Sequence, residues 1–339
     1  MSKRKPIIGI TMGDASGIGP EIIVKSFEHE ELFEKSRPVV IGDYSILDRA
    51  IKITESAVAI DKITPEDIDE YQFKVGILPL IDLGLLSTDL EFGIVSAESG
   101  DAAYKFVEKA VEMAQANQID AICTAPLNKE ALHLGGHMYP GHTEILADLT
   151  NTEDYSMMLM TGELRVIHLT THMGLIDAIK SITPERTYNV VKLAYNTLVR
   201  SGVQDPKIAV CGINPHAGEN GLFGNREEEK QLLPGIKKAQ EEGIDVEGPL
   251  PADTLFFRAG RGDFDVVVAC YHDQGHAPVK VLGIDDGINI TVGLKGGIIR
   301  TSVDHGTAFD IAGKNIATEK SMLSAIYAAI DLAPKNHEK

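Results

Sequence analysis

The chain has 339 residues, 43% of them hydrophobic and 24% charged, enough apolar material for a sizeable core that at this length divides between two lobes. Its formal net charge of -18 excludes nucleic-acid and anionic-membrane partners, because either needs a basic face to neutralise phosphates. No apolar run approaches the roughly 18 to 20 residues that cross a bilayer, and MSKRKPIIGITMGD runs into a strand pattern instead of a signal peptide, so the expected compartment is the cytoplasm.

Short β-branched runs predict strands at Pro6–Thr11, Val39–Gly42, Val75–Ile81, Ala121–Thr124, Lys207–Gly212 and Asp265–Ala269. Helical patterns alternate with them. Glu98–Ala116 puts Ala103, Phe106, Val107, Ala110, Met113 and Ala114 on one face, and Pro184–Val199 reads similarly. This alternation predicts an α/β fold with a mostly parallel sheet. Met157–Thr171 differs: two strand-like runs around Gly162 suggest a hairpin, and hence a mixed sheet in the second lobe. Cys123, Cys211 and Cys270 each lie in or at the end of an apolar run, which suits small buried hydrophobes in a reducing compartment better than disulfide partners.

The histidines carry the chemical signal. His172 ends VIHLTTH, His216 ends KIAVCGINPH and His272 ends DVVVACYH, so three strands each deliver an imidazole at the carboxyl end, the edge where open α/β sheets bind ligands. One such histidine reads as a hydrogen-bonded structural residue. Three at equivalent exits read as a site for a divalent ion (Zn, Mg, Mn, Co or Ni), with positions left open for substrate oxygens. Asp253 in PLPADTLFF and Asp273 beside His272 are either further ligands, groups that orient a histidine, or cap and turn residues.

Two glycine-rich turns are ambiguous. GDASGIGPE opens a helix at Pro20 and is either an anion-binding nest or a tight strand-to-helix turn, since Gly13, Gly17 and Gly19 do not have dinucleotide-fingerprint spacing. In SAESGDAA, Ser96, Ser99 and Gly100 either cap the next helix or bind phosphate. Lys129, Lys280 and Arg300 stand beside strand exits or glycine-rich turns, and Arg300 is the strongest anion-binding candidate because its planar fork suits carboxylate or phosphate. GHTE offers His142 and Thr143 as donors to a phosphate, unless Thr143 is an N-cap.

Taken together, GDASGIGPE, GHTE, TTH, INPHAGE, GPLPADTLF, YHDQG, NITVGL and RTSVDHGTAFDIAGKN resemble, in order and over nearly the whole chain, the 4-hydroxythreonine-4-phosphate dehydrogenase family. HGTAFDIAGKN is also similar to the adenosine-binding loop of isopropylmalate and isocitrate dehydrogenases. The resemblance therefore implies that two-lobed fold with an active-site cleft between the lobes. Lobe 1 would be residues 1–130 plus 300–339 with the cofactor loop, and lobe 2 residues 131–299 with the metal and dimer contacts.

Carried over residue by residue, the resemblance makes His172, His216 and His272 the metal ligands in a homodimer whose site takes residues from both subunits. His142, Thr143, Lys280, Asn289 and Arg300 would contact a small phosphorylated acid. The loop Asp304–Asn315 would hold NAD through His305, Ala308 and Asn315. The implied reaction is metal-dependent oxidation at C3 followed by decarboxylation, with Lys280 as the proton-transfer group, its pKa lowered by burial and a nearby cation, and Asp253 as a second catalytic candidate.

Three departures from the pyridoxal-phosphate branch bear on substrate. His276 follows YHDQG where that branch tends to carry an apolar residue, Asn128 precedes Lys129 where it tends to have histidine, and Lys295–Gly297 lengthen the approach to Arg300. These look more like the sister group acting on 4-phospho-D-threonate or 4-phospho-D-erythronate, whose product would be dihydroxyacetone phosphate. His276, four residues before Lys280 and expected in the same loop, would face a C2 hydroxyl. The alternatives are 4-phosphohydroxy-L-threonine oxidation, and, from another class, a metal-dependent hydrolase or aldolase whose C-terminal glycine-rich loop is structural.

Overall fold

The computed structural model describes residues 4–283 and 287–334. The chain divides into two compact units, one of Met1–Glu153 with Leu294–Lys335, the other of Asp154–Gly293. The strands among the described residues are β1 (Ile7–Thr11), β2 (Arg37–Gly42), β3 (Ala59–Lys62), β4 (Ile77–Asp82), β5 (Ala121–Thr124), β6 (Ser156–Thr161), β7 (Leu164–His168), β8 (Ile208–Cys211), β9 (Val246–Leu250), β10 (Val266–Ala269), β11 (Ile288–Val292) and β12 (Arg300–Val303).

In the first unit the strand order is β3-β4-β2-β1-β5-β12, all parallel. Ile10 of β1 lies between Val40 of β2 and Cys123 of β5, and Ser302 of β12 lies opposite Thr124. All five residues of β1 are buried, as a central parallel strand covered on both faces requires, and this explains its continuous apolar run. The helix Ala97–Gln115 begins at Ser96, whose side chain accepts from Ser99 N, and it buries Ala103, Phe106, Val107, Ala110 and Met113 of the predicted face, while Ala114 is half-buried. The helices Lys129–Leu134 and His142–Leu149 belong to this unit too.

The second unit has the order β11-β6-β7-β10-β8-β9. β6 and β7 form the expected hairpin, turning at Gly162 with φ 52°, and β11 is antiparallel to β6. The strands β7, β10, β8 and β9 are parallel. The sheet is therefore mixed. Because β7, β10 and β8 are adjacent and parallel, their carboxyl ends fall along one edge, and those three strands precede His172, His272 and His216. The three cysteines are buried free thiols, and burial pushes Cys123 up to about 12, which makes it unreactive. Among the described residues no helix is long and apolar enough to cross a membrane.

Candidate active site

In the second unit the exit of β7 and the helix His272–Leu282 gather four imidazoles. The rings of His172 and His272 have centroids 5.8 Å apart. His276 stacks on His272 at 3.6 Å and 11°, and its Nδ1 is 3.2 Å from Nε2 of His168, the last residue of β7. His272 Nδ1 pairs with Asp273 Oδ1 at 2.7 Å, so Asp273 orients the ring and leaves its Nε2 as the nitrogen able to face a ligand. Burial, reinforced by neighbouring imidazoles, lowers His168 to about 3 and His276 to about 4, so both rings are neutral near pH 7.

The segment expected to be a loop at His276 is helical. His272, His276 and Lys280 follow at intervals of four residues on one face. Burial lowers the Lys280 ammonium below its ordinary value, the direction a proton-transfer group needs. On β11, Asn289 Nδ2 lies 3.6 Å from Met157 Sδ while its Oδ1 is buried with no partner, an acceptor available to a ligand.

His216 is exposed, with the Phe223 ring 6.0 Å away, in a loop whose residues 216–220 all have positive φ, including the non-glycines His216 (53°), Ala217 (51°), Glu219 (40°) and Asn220 (57°). Left-handed backbone costs roughly 1–2 kcal/mol at each non-glycine residue, so the surroundings must hold this shape. Buried Glu228 does so: Oε1 accepts from Ile213 N at 3.0 Å and Asn214 N at 2.7 Å, and Oε2 from Asn214 Nδ2 at 3.0 Å. Among the described residues no three His, Cys, Asp or Glu side chains converge on one point as a metal would require. The donor chemistry nevertheless suits a divalent ion: two neighbouring imidazoles, one held by a carboxylate, at an open sheet edge.

In the first unit, Arg300 on β12 is 4% exposed, and its Nε and Nη2 both donate to Thr124 Oγ1, at 3.0 and 2.6 Å. Burial lowers the guanidinium to about 10, which still leaves it cationic at neutral pH. His142 Nε2 is buried and unpartnered, and burial with the Arg300 charge holds the ring neutral. A buried cation on which the Glu144 carboxylate acts, together with a buried imidazole nitrogen that has no partner, suits an anionic ligand. Thr143 is inside its helix, and the capping position belongs to Gly141.

The amides of residues 14–18 in the turn after β1 are all taken, while Asp14 Oδ2 and Ser16 Oγ are buried without a partner. Asp14 N donates to Pro126 O, Ala15 N to Ser99 Oγ, Ser16 N to Asp14 Oδ1, Gly17 N to Asp14 O and Ile18 N to Thr307 O. Those five amides have no capacity left for an anion and serve the turn's structure. Ser96, capping its helix, is likewise structural. Ile18 also ties the turn to the loop Asp304–Asn315, and Glu21 does more: it is 1% exposed, with Oε1 accepting from Gly313 N at 2.5 Å and Oε2 from Asn315 N at 3.0 Å. Lys25 Nζ donates to Ala317 O at 2.6 Å. Glu21 thus fixes the end of the loop, where Ala308 and Asn315 have φ of 45° and 57°, while exposed His305 turns Nδ1 toward Gly306 O.

The sequence model of the family described as pyridoxal phosphate biosynthetic protein PdxA matches residues 34–329. The chain belongs to the PdxA family. It is 57% identical over 335 residues to the D-threonate 4-phosphate dehydrogenase of Cupriavidus necator, covering 99% of each chain. The D-threonate 4-phosphate dehydrogenase of Salmonella typhimurium is 49% identical over 329 residues, 96% of this chain and 98% of that one. Among solved structures, a 4-hydroxythreonine-4-phosphate dehydrogenase from Burkholderia phymatum superposes with a TM-score of 0.91 at 58% identity, over 97% of this chain and 99% of that one. A terephthalate 1,2-cis-dihydrodiol dehydrogenase from Burkholderia xenovorans gives 0.74 at 30%, over 97% and 98%. The fold is the mostly parallel, two-unit α/β arrangement without barrel closure expected from the sequence.

Within this PdxA-family chain, the predicted residues fall into separate groups. His172, His272 and Lys280 share the imidazole-bearing edge of the second unit, whereas His142 and Arg300 belong to the first. Asp253 is exposed in the first turn of the helix Ala252–Ala259, accepts from Thr254 N at 3.0 Å, and has no bond to the histidines among the described residues. Sequence reasoning missed His168, Glu228, Glu21 and Thr124. His168 was legible as a second imidazole four residues before His172, but Glu228 lies 12 residues past His216 in a charged run, EEEK, that reads as solvated surface.

Proposed function

We propose that this chain is a cytoplasmic, homodimeric, metal- and NAD-dependent dehydrogenase that oxidises C3 of 4-phospho-D-threonate or 4-phospho-D-erythronate and decarboxylates the product to dihydroxyacetone phosphate. The observation that carries this is the near full-length identity to proteins named D-threonate 4-phosphate dehydrogenase, 57% in Cupriavidus necator. Buried, reduced thiols suit the cytoplasm. His172, His216 and His272 would hold the divalent ion, with His216 completing the set from a second copy.

When bound, the ion supplies Lewis acidity and the nicotinamide accepts the hydride. The chain's own groups bind and position. Arg300 takes a carboxylate or phosphate with its fork, and His142 Nε2 and Thr143 add hydrogen bonds. Asn289 Oδ1 accepts from a substrate hydroxyl. Lys280 takes the proton released as the C3 hydroxyl becomes a carbonyl, and returns a proton to carbon after carbon dioxide has left. Asp253, in its exposed position, would serve as a second proton carrier. His305, Ala308 and Asn315 would line the cofactor on a loop that Glu21 anchors.

The test is a spectrophotometric screen for NADH over 4-phosphorylated four-carbon acids with added divalent metals. NADH with D-threonate or D-erythronate 4-phosphate, accompanied by carbon dioxide, is the expected result. Preference for 4-phosphohydroxy-L-threonine would instead support the second reading, which the 58% identical Burkholderia phymatum structure favours by its description. NAD at 100 times its dissociation constant should stabilise the protein by about 2.7 kcal/mol. Absence of any stabilisation, with turnover of an ester or aldol substrate, would mark a metal-dependent hydrolase or aldolase.

A further inference from the structure

His168 is fully buried at the end of β7, and its Nδ1 lies 3.2 Å from the carbonyl oxygen of Met157 on β6. A carbonyl only accepts, so Nδ1 carries the proton and the neutral ring's Nε2 is a lone pair. That lone pair is 3.2 Å from His276 Nδ1. Two nitrogens in such contact share one proton, and here His276 must supply it. The other acceptor near His276 Nδ1 is His272 O at 3.0 Å, the carbonyl that the helix backbone already uses for its own i to i−4 bond. That carbonyl has a second lone pair, so His168 Nε2 and His272 O together hold the proton on Nδ1, and a bare Nδ1 would set its lone pair against that of His168. His276 is left with an unprotonated Nε2.

The packing is built for this contact. A Cβ at Gly275 would stand 2.3 Å from His168 Nε2 and 2.9 Å from Ala269 Cβ, so a larger residue there would push the helix off the ring. On its other side His276 is fixed by the 3.6 Å stack on His272.

We propose that His168 is a positioning residue that holds His276 as a hydrogen-bond acceptor for the substrate's C2 hydroxyl. This rests on the hydroxy-acid substrate proposed above. An acceptor nitrogen needs a donor opposite it: a C2 hydroxyl supplies one, and a substrate with only hydrogen at C2 does not.

The experiment uses full-length protein with histidine-selective 15N labelling, zinc-loaded and metal-free, alongside kinetics with D-threonate 4-phosphate and its 2-deoxy analogue. Wild type should show His276 protonated at Nδ1 and bare at Nε2. His168→Leu, which leaves His272 O as the remaining acceptor, should raise the share of the Nε2-protonated tautomer and lower kcat/KM for the hydroxy acid by up to about tenfold, mostly through KM, with the 2-deoxy analogue unaffected. Gly275→Ala removes no histidine and should act in the same direction, and His168→Gln, which keeps an acceptor, should recover part of the loss. A proton on His276 Nε2 in wild type overturns the proposal. So do unchanged ring signals in both His168→Leu and Gly275→Ala, or equal losses for the hydroxy acid and its 2-deoxy analogue. If wild type oxidises no four-carbon phosphate, the substrate assignment fails, and the 15N spectra still decide what His168 does to His276.

Discussion

Replacing Glu228 with Gln should loosen the His216 loop and weaken any ligand that His216 helps to hold. The carboxylate accepts three hydrogen bonds while 2% exposed, and bonds to a charged acceptor contribute about 1.5–3 kcal/mol each against about 0.5–1.5 for neutral ones. Gln keeps the volume and one oxygen, so the amides of Ile213 and Asn214 retain an acceptor. Its new NH2 would face Asn214 Nδ2, donor against donor, at the 3.0 Å where Oε2 now accepts. One charge-assisted bond is lost and two are weakened, a cost of about 3 kcal/mol after relaxation. Spent on the four left-handed non-glycine residues, that is about a hundredfold in the population of the ordered loop. Calorimetry should show Tm lowered by up to about 4 °C. Competition with a chromogenic chelator should show zinc or cobalt held up to about a hundredfold less tightly, with NAD binding unchanged. A variant with wild-type Tm and wild-type metal affinity would refute the role given to Glu228.

Arg300→Lys should raise the dissociation constant for the phosphorylated acid far more than that for NAD, measured by titration calorimetry, because a point charge cannot reproduce a planar fork; unchanged substrate affinity would reassign Arg300 to structure. Glu21→Gln should do the opposite, raising KM for NAD by about tenfold or more as one charge-assisted bond to Gly313 N or Asn315 N is lost, with little change in KM for substrate. Equal effects on both would deny that Glu21 acts through the loop. His276→Leu should reduce the preference for the hydroxy acid over its 2-deoxy analogue by about tenfold at most, read as a ratio of kcat/KM values, and an unchanged ratio would move recognition of the C2 hydroxyl elsewhere, with Asn128 the next residue to test.

The sequence by itself determined the class of fold, because buried parallel strands must be apolar throughout and their covering helices must be amphipathic. β1, β5, β8 and β10 stand within a residue or two of their predicted spans, and the hairpin at Gly162 was readable from two strand-like runs around one glycine. It also pointed to the sheet edge where His172 and His272 come together, since three strand-like runs lead into histidine. What only the tertiary structure decided concerns partners far apart in the chain. The amides of GDASGIGPE could have served an anion, but Ser99, Pro126 and Thr307 approach from elsewhere and use them. Glu21 and Glu228 look like surface acids in a chain of net charge -18, and they are buried because each satisfies backbone amides of a loop that no local propensity would hold in shape. Likewise, the peptide after His272 contains Pro278 and glycine and reads as a loop, yet it is a helix because packing against β7 and β10 outweighs their low propensity. Propensity is local and worth tenths of a kcal/mol per residue, whereas burial and long-range hydrogen bonds are worth several, and the sequence shows only the first of these directly.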